Sequence, residues 1–160
     1  MNMKKRHYPL CYALLSIVLF WIGFRWAASL ENKLAAVIFP DGRELSVEVA
    51  DTEESRKLGF MFREKLEWDE GMLLVFEKDG FHSIWMKNCK IPLDIIWLSR
   101  DGKIVHMRKS AQPCPANEDC PSFTPFHKSR YVLEVRAGTV LKYSLKNGDE
   151  IILLGMSDRI

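Results

Sequence analysis

Several common routes to function are missing from this chain. Its 160 residues include only four histidines and four cysteines. There is no Gly-rich phosphate loop, no Ser nucleophile elbow and no zinc-protease helix. That removes the usual sequence signals of nucleotide chemistry, serine hydrolysis and zinc peptidase activity. Internal repeats and low-complexity tracts are also lacking, which excludes solenoid and linker-type architectures. Basic charge is not concentrated. The net charge of +2 comes from 23 basic and 21 acidic residues, but Lys4, Lys5, Arg6 and Arg25 lie in or beside an N-terminal hydrophobic segment. Removing those four leaves 19 basic against 21 acidic residues, near −2 for the rest. Nucleic-acid binding needs a basic footprint, and no nucleic-acid partner is expected.

What remains is an ordinary globular composition, 48% apolar and 28% charged, long enough for one domain. The N-terminus stands apart. Lys4, Lys5 and Arg6 precede an uncharged run from Tyr8 to Phe24. As a helix it would extend roughly 25 Å, slightly short of a hydrocarbon core of about 30 Å. Arg25 can snorkel and Trp26 can sit at the interface, so contact with a membrane is expected through residues 8–26. Residues 1–29 then form a signal anchor or a signal peptide. The run is longer than a usual signal core, and Arg25 with Trp26 fit poorly beside a cleavage region at Ala27, Ala28 and Ser29, which favours the anchor. A buried helix of a soluble fold is disfavoured, because the hydrophobicity is continuous rather than one-sided. Basic residues before the run predict a cytoplasmic N-terminus and an extracytoplasmic domain over 30–160, secreted if the signal is cleaved. Cys11 lies early in the run, where no lipid-attachment signal is evident.

The domain reads as many short strands. Leu34–Phe39, the turn Pro40-Asp41-Gly42 and the alternating Glu44–Ala50 predict a hairpin. Asp51, with Glu54 three residues on, predicts a capped helix over about 52–61, with Leu58 and Met61 or Phe62 facing inward and Gly59 as a packing point or an end. Further strands are expected at Gly71–Phe76, Phe81–Lys87, Leu93–Leu98, Ile104–Met107, Tyr131–Val135 and Glu150–Leu154. A short helix is expected within Gly138–Leu145, and a long Pro-containing loop over 109–130. The expected fold class is α+β, with a mainly antiparallel, barrel-like β-sheet and one or two short helices behind the N-terminal hydrophobic helix.

These blocks also carry a family pattern. Arg56 with Gly59-Phe60-Met61-Phe62-Arg63, Gly71 to Phe76, Trp85-Met86-Lys87-Asn88 and Ile91-Pro92-Leu93-Asp94-Ile95-Ile96 form its first part. Asp101-Gly102, Pro113-Cys114, Cys120-Pro121, Tyr131 to Val135, Ala137-Gly138 and Gly148-Asp149 form its second. Over about residues 34–155 the chain resembles the domain of unknown function 192 family. The resemblance implies a compact β-rich domain, exported in bacteria and archaea and often set behind a signal peptide or anchor. It implies no established activity. Cys89 stands where the family usually has Thr, so the resemblance gives no support to a catalytic Cys89.

Cys114 and Cys120 bracket five residues in the Pro-rich loop, and in an exported domain they read as a disulfide. Metal binding needs more ligands; His106 and His127 are the nearby histidines, and nothing pairs them. Cys89 is left over; in a strand-forming block it reads as buried and inert, and no base is in view to make it a nucleophile. The group richest in chemistry is Trp85, Lys87, Asn88 and Asp94. Trp85 and Lys87 share one strand face, Met86 and Asn88 the other. One reading is a concave ligand site combining aromatic, amide and charged groups, with Arg56 contributing. The other is a structural ion pair of Lys87 or Arg56 with Asp94, and Asn88 bonded to loop backbone. Asp94 and Glu134 are the carboxylates placed in apolar strand blocks, and such a pair can do glycosidase-type acid–base work. Alternation in 131–135, however, puts Glu134 on the outward face. The leading expectation is a membrane-tethered domain that binds a small polar ligand or envelope component through Arg56, Trp85, Lys87, Asn88 and Asp94, with no cofactor. A hydrolase using Asp94 and Glu134, and an assembly factor binding another exported protein, are the alternatives.

Overall fold

Alternating side chains build the first hairpin as expected. β1 (Leu34–Ile38) pairs antiparallel with β2 (Glu44–Ala50), placing Val37 opposite Leu45 and Ala35 opposite Val47. Leu45 and Val47 are buried while Glu44 and Ser46 are exposed, the two-residue period of a strand with one covered face. The structure is a computed structural model and describes residues 34–115 and 117–155. The hydrophobic run at 8–26, and with it the anchor or signal peptide, lies outside the described residues. Among the described residues no helix is long and apolar enough to cross a membrane.

The first helix is shorter than its sequence pattern suggests. α1 (Glu53–Leu58) is capped by Thr52, not Asp51, and the capping box is closed by Ser55, not Glu54. Thr52 Oγ1 accepts from the Ser55 amide at 3.1 Å, and Ser55 Oγ accepts from the Thr52 amide at 3.0 Å. Thr and Ser hydroxyls fit this reciprocal arrangement directly. The helix stops at Gly59, whose φ of 46° and ψ of −131° suit only a residue without a Cβ. That early stop turns Leu58 and Phe62 outward, 53% and 60% exposed, and sends Phe60 into the core instead.

β3 (Glu70–Gly80) then runs parallel to β2, and every other pairing in the main sheet is antiparallel. β5 (Leu93–Leu98), β6 (Ile104–Ala111), β8 (Ser129–Arg136) and β9 (Ile152–Leu154) complete it, in the order β6-β5-β8-β3-β2-β1-β9. The long strand expected at 81–87 is reduced to β4 (Ile84–Trp85), which pairs with β7 (Ser122–Phe123) as a separate two-stranded sheet. The expected 109–130 loop therefore contains the end of β6, all of β7 and the start of β8. The second helix, α2 (Thr139–Lys142), falls inside its expected segment.

The sheet does not close into a barrel, contrary to expectation. β6 and β9 remain its edges. Contact is made only at the start of β6 and in the segments leading into the two strands: the Ile104 amide donates to the Asp149 carbonyl at 2.8 Å, and the Ile151 amide donates to the Gly102 carbonyl at 2.9 Å. With three residues, β9 is too short to extend this contact into a ladder.

Both faces of the sheet are covered. One layer holds Val37, Leu45, Val47, Leu73, Ile96 and Leu133. The other holds Phe60, Leu74, Ile84, Met86, Ile95 and Val132, and it is supplied largely by connecting segments. β5 and β8, in the interior of the sheet, are consequently buried on both sides. The expected disulfide joins Cys114 to Cys120, with Cα atoms 5.8 Å apart. It fastens the segment that carries β7 onto this second layer, where Cys114 is buried.

Candidate functional site

Asp94 is a structural anchor. On β5 it is 1% exposed, and its carboxylate accepts three backbone N–H bonds. Oδ1 takes the Ser110 amide at 2.8 Å; Oδ2 takes the Gly138 amide at 3.1 Å and the Val140 amide at 2.8 Å. Gly138 is the N-cap of α2 and has no side chain to cap with. Asp94 caps that helix from another strand, satisfying amides the helix itself leaves open. It also holds Ser110, whose φ of 49° marks an irregular stretch of β6. Neither Lys87 nor Arg56 pairs with it.

The expected group does not converge. Asn88 adopts φ 59° just after Lys87, donates its amide to the Cys114 carbonyl at 2.9 Å and accepts from the Phe62 amide at 2.8 Å. It is a joint between loops. Trp85 is 38% exposed, and Lys87 places Nζ 5.3 Å from its ring centroid, so those two do share a face. Arg56 reaches inward from α1. Its Nη1 donates to the carbonyls of Asp51 and Val75, both at 2.8 Å, and its guanidinium lies 5.1 Å from the Phe76 ring centroid.

The chemistry gathers instead around Glu134. Register places Glu134 of β8 opposite Met72 of β3 and Ile95 of β5. Its side chain therefore enters the second core layer on the same face as Val132. The expectation that Glu134 points outward is overturned because connecting segments cover that face. Glu134 is 5% exposed, and its Oε2 has no hydrogen-bond partner among the described residues. Burial pushes its carboxyl up to about 7, because desolvation penalises the charged form. A cavity of about 490 Å³ opens beside it, lined by Arg56, Phe60, Phe76, Trp85, Cys89 and Glu134 among others. Gly59 adjoins the carboxyl: a Cβ there would stand in van der Waals contact with Oε2, at 3.5 Å. The Cys89 thiol, half-buried in the same wall, is pushed up to about 11, first by burial and then by the charge of Glu134. Lys87, Asn88 and Asp94 lie outside this lining.

This fold has known counterparts. The model of the DUF192 family, described as Uncharacterized ACR, matches residues 36–153. The chain belongs to the DUF192 family. A proposed transcription regulator from Sinorhizobium meliloti 1021 has a similar structure, with a TM-score of 0.65 and 32% identity, covering 75% of this chain and 92% of that one. A protein of unknown function from Novosphingobium aromaticivorans DSM 12444 matches with a TM-score of 0.64 and 28% identity, covering 74% and 83%. No curated protein matches the chain.

Within this DUF192 domain, Arg56 and Trp85 of the expected group line the cavity, and so does Glu134, which was expected to face outward. A signal was present. The segment Tyr131-Val132-Leu133-Glu134-Val135 is apolar on both faces, as in an interior strand, and a carboxylate there is buried whichever way it points. Among the described residues no group of three or more His, Cys, Asp or Glu is placed to hold a metal ion.

Proposed function

We propose that this DUF192 domain is a membrane-tethered, extracytoplasmic module that binds a small ligand in the Glu134 pocket. One observation carries the reading: a buried carboxyl oxygen without a partner lines a cavity large enough for a small molecule. Buried polar atoms are nearly always hydrogen-bonded, and ligand sites combine apolar walls with a few convergent polar groups. Phe60, Phe76 and Trp85 supply such walls, and Arg56 adds a cation. Lys87 and Asn88 support the site from outside it by holding Trp85 and the 86–89 loop, while Asp94 holds α2 on the other face of the sheet.

Binding is favoured over catalysis for two reasons. Asp94, the second carboxylate of the hydrolytic alternative, lies on the opposite face of the sheet. Cys89 has its thiol pushed away from the thiolate that a nucleophile requires. Export and tethering rest on the basic-then-hydrophobic N-terminus, and the Cys114–Cys120 disulfide suits an oxidising compartment.

A thermal-shift screen of the full chain in detergent tests the reading. Sugars, amino acids, nucleotides and envelope fragments are compared on wild type, Glu134→Gln and Trp85→Ala. A ligand that raises the melting temperature of wild type only is the expected result. Hits that persist equally in both variants would place binding elsewhere.

A further inference from the structure

Resting on the pocket reading, we infer that the ligand is a small organic amine whose protonated nitrogen pairs with the Glu134 carboxylate while its apolar body lies against Phe60, Phe76 and Trp85. No ion pair reaches Glu134 among the described residues. Burial alone accounts for its raised protonation, with no cation offsetting it. A cation small enough to enter the pocket would supply the partner this carboxylate lacks.

The charged groups around the pocket fit that assignment. From α1 come Glu53, Arg56 and Lys57; from the segment after β4 comes Cys89; His82 stacks on Phe76 of β3, with ring centroids 3.6 Å apart, and is not itself in the lining. β3 and β5 otherwise present Met72, Leu74 and Ile95 to this layer. Arg56 does not serve as the missing cation, because two backbone carbonyls and the Phe76 ring hold its guanidinium. Lys57 is exposed and stands in the lining with the exposed Glu53. An ammonium brought to Glu134 thus gains a charge-assisted hydrogen bond in a poorly solvated place, with aromatic faces nearby. A neutral hydroxyl gains the hydrogen bond but neither the ion-pair attraction nor the contact of a cation with the aromatic faces, and a carboxylate meets repulsion from the ionised form.

Binding also displaces a proton. Glu134 is largely protonated below its midpoint of about 7 and ionised above it. An ammonium pairs with the ionised form, so amine affinity rises with pH. Between pH 6 and pH 8 the ionised fraction grows about tenfold, and affinity follows. At pH 7 each amine bound releases about half a proton.

Isothermal titration of the full chain in detergent tests this with benzylamine, benzyl alcohol and benzoate as matched probes. Benzylamine is expected to bind best, to tighten about tenfold from pH 6 to pH 8, and to release protons, read from heats in two buffers of different ionisation enthalpy. Glu134→Gln, nearly isosteric, should remove both the amine preference and the proton release. Benzyl alcohol or benzoate binding as tightly as benzylamine, or an amine affinity flat with pH, would overturn the amine assignment and leave the pocket reading standing. Binding by none of the three would overturn the amine assignment, and the pocket reading would fall with it only if the wider ligand screen also found nothing. The pH profile uses wild type alone, so it holds even if Glu134→Gln fails to fold.

Discussion

Asp94 and Glu134 stand on neighbouring strands one residue out of register, and so they serve opposite faces of one sheet. Asp94 lies opposite Val135, and Glu134 lies opposite Ile95. The first carboxylate is fully engaged by backbone amides; the second has an oxygen with none. Two acids that look alike in sequence thus do different work. Asp94 holds the fold, and Glu134 offers an unfilled acceptor to the pocket.

Asp94→Ala should destabilise the domain by on the order of 3 kcal/mol, because the amides of Ser110, Gly138 and Val140 lose a shared acceptor. Asp94→Asn, which keeps one acceptor oxygen, should cost less. Urea denaturation measures both. A change below about 1 kcal/mol for the alanine variant would refute the anchoring role.

Glu134 makes stability fall as pH rises. Its folded midpoint, about 7, lies above the ordinary 4.5. The folded state therefore binds more protons than the unfolded state between those values, and stability drops across that window and levels off above it. The whole effect is about 3 kcal/mol. Glu134→Gln removes it, so the variant should match wild type near pH 4.5 and exceed it at pH 8. Parallel stability curves for the two proteins would contradict this.

Gly59→Ala combines two penalties. The backbone at φ 46° and ψ −131° strains any residue with a Cβ, at a cost of about 1–3 kcal/mol. The new methyl would also stand 3.5 Å from Glu134 Oε2 and narrow the pocket. Lower stability together with weaker ligand binding is expected, the first read by urea melts and the second by titration.

Cys114→Ser opens a disulfide of sequence separation 6. The chain-entropy model assigns such a short loop about 2 kcal/mol. The melting temperature should fall under oxidising conditions and match that of reduced wild type. An unchanged melting curve would show that the bridge contributes no stability.

Local patterns were legible where local forces decide the outcome. The alternation in 44–50 specified the β1–β2 hairpin, and the Pro-rich spacing of Cys114 and Cys120 specified the bridge. Openness of the sheet was not legible, because closure depends on β6 and β9, which meet only through segments far apart in sequence. The role of Asp94 was hidden for the same reason: its amide partners lie 16 to 46 residues away. Glu134 was misread through its covering layer. Phe60, Ile84 and Met86 come from short, weakly patterned segments, and nothing local announces that they fold over β8.

Glu134 is a buried, unpaired carboxyl facing the pocket. Carbon-13 NMR titration of the glutamate-labelled full chain, assigned with Glu134→Gln, reads this directly. One glutamate should show a midpoint near 7 that shifts downward when an amine probe binds. A Glu134 midpoint between about 4 and 5 would mean a solvated carboxyl, and would contradict both the pocket and the ligand assigned to it.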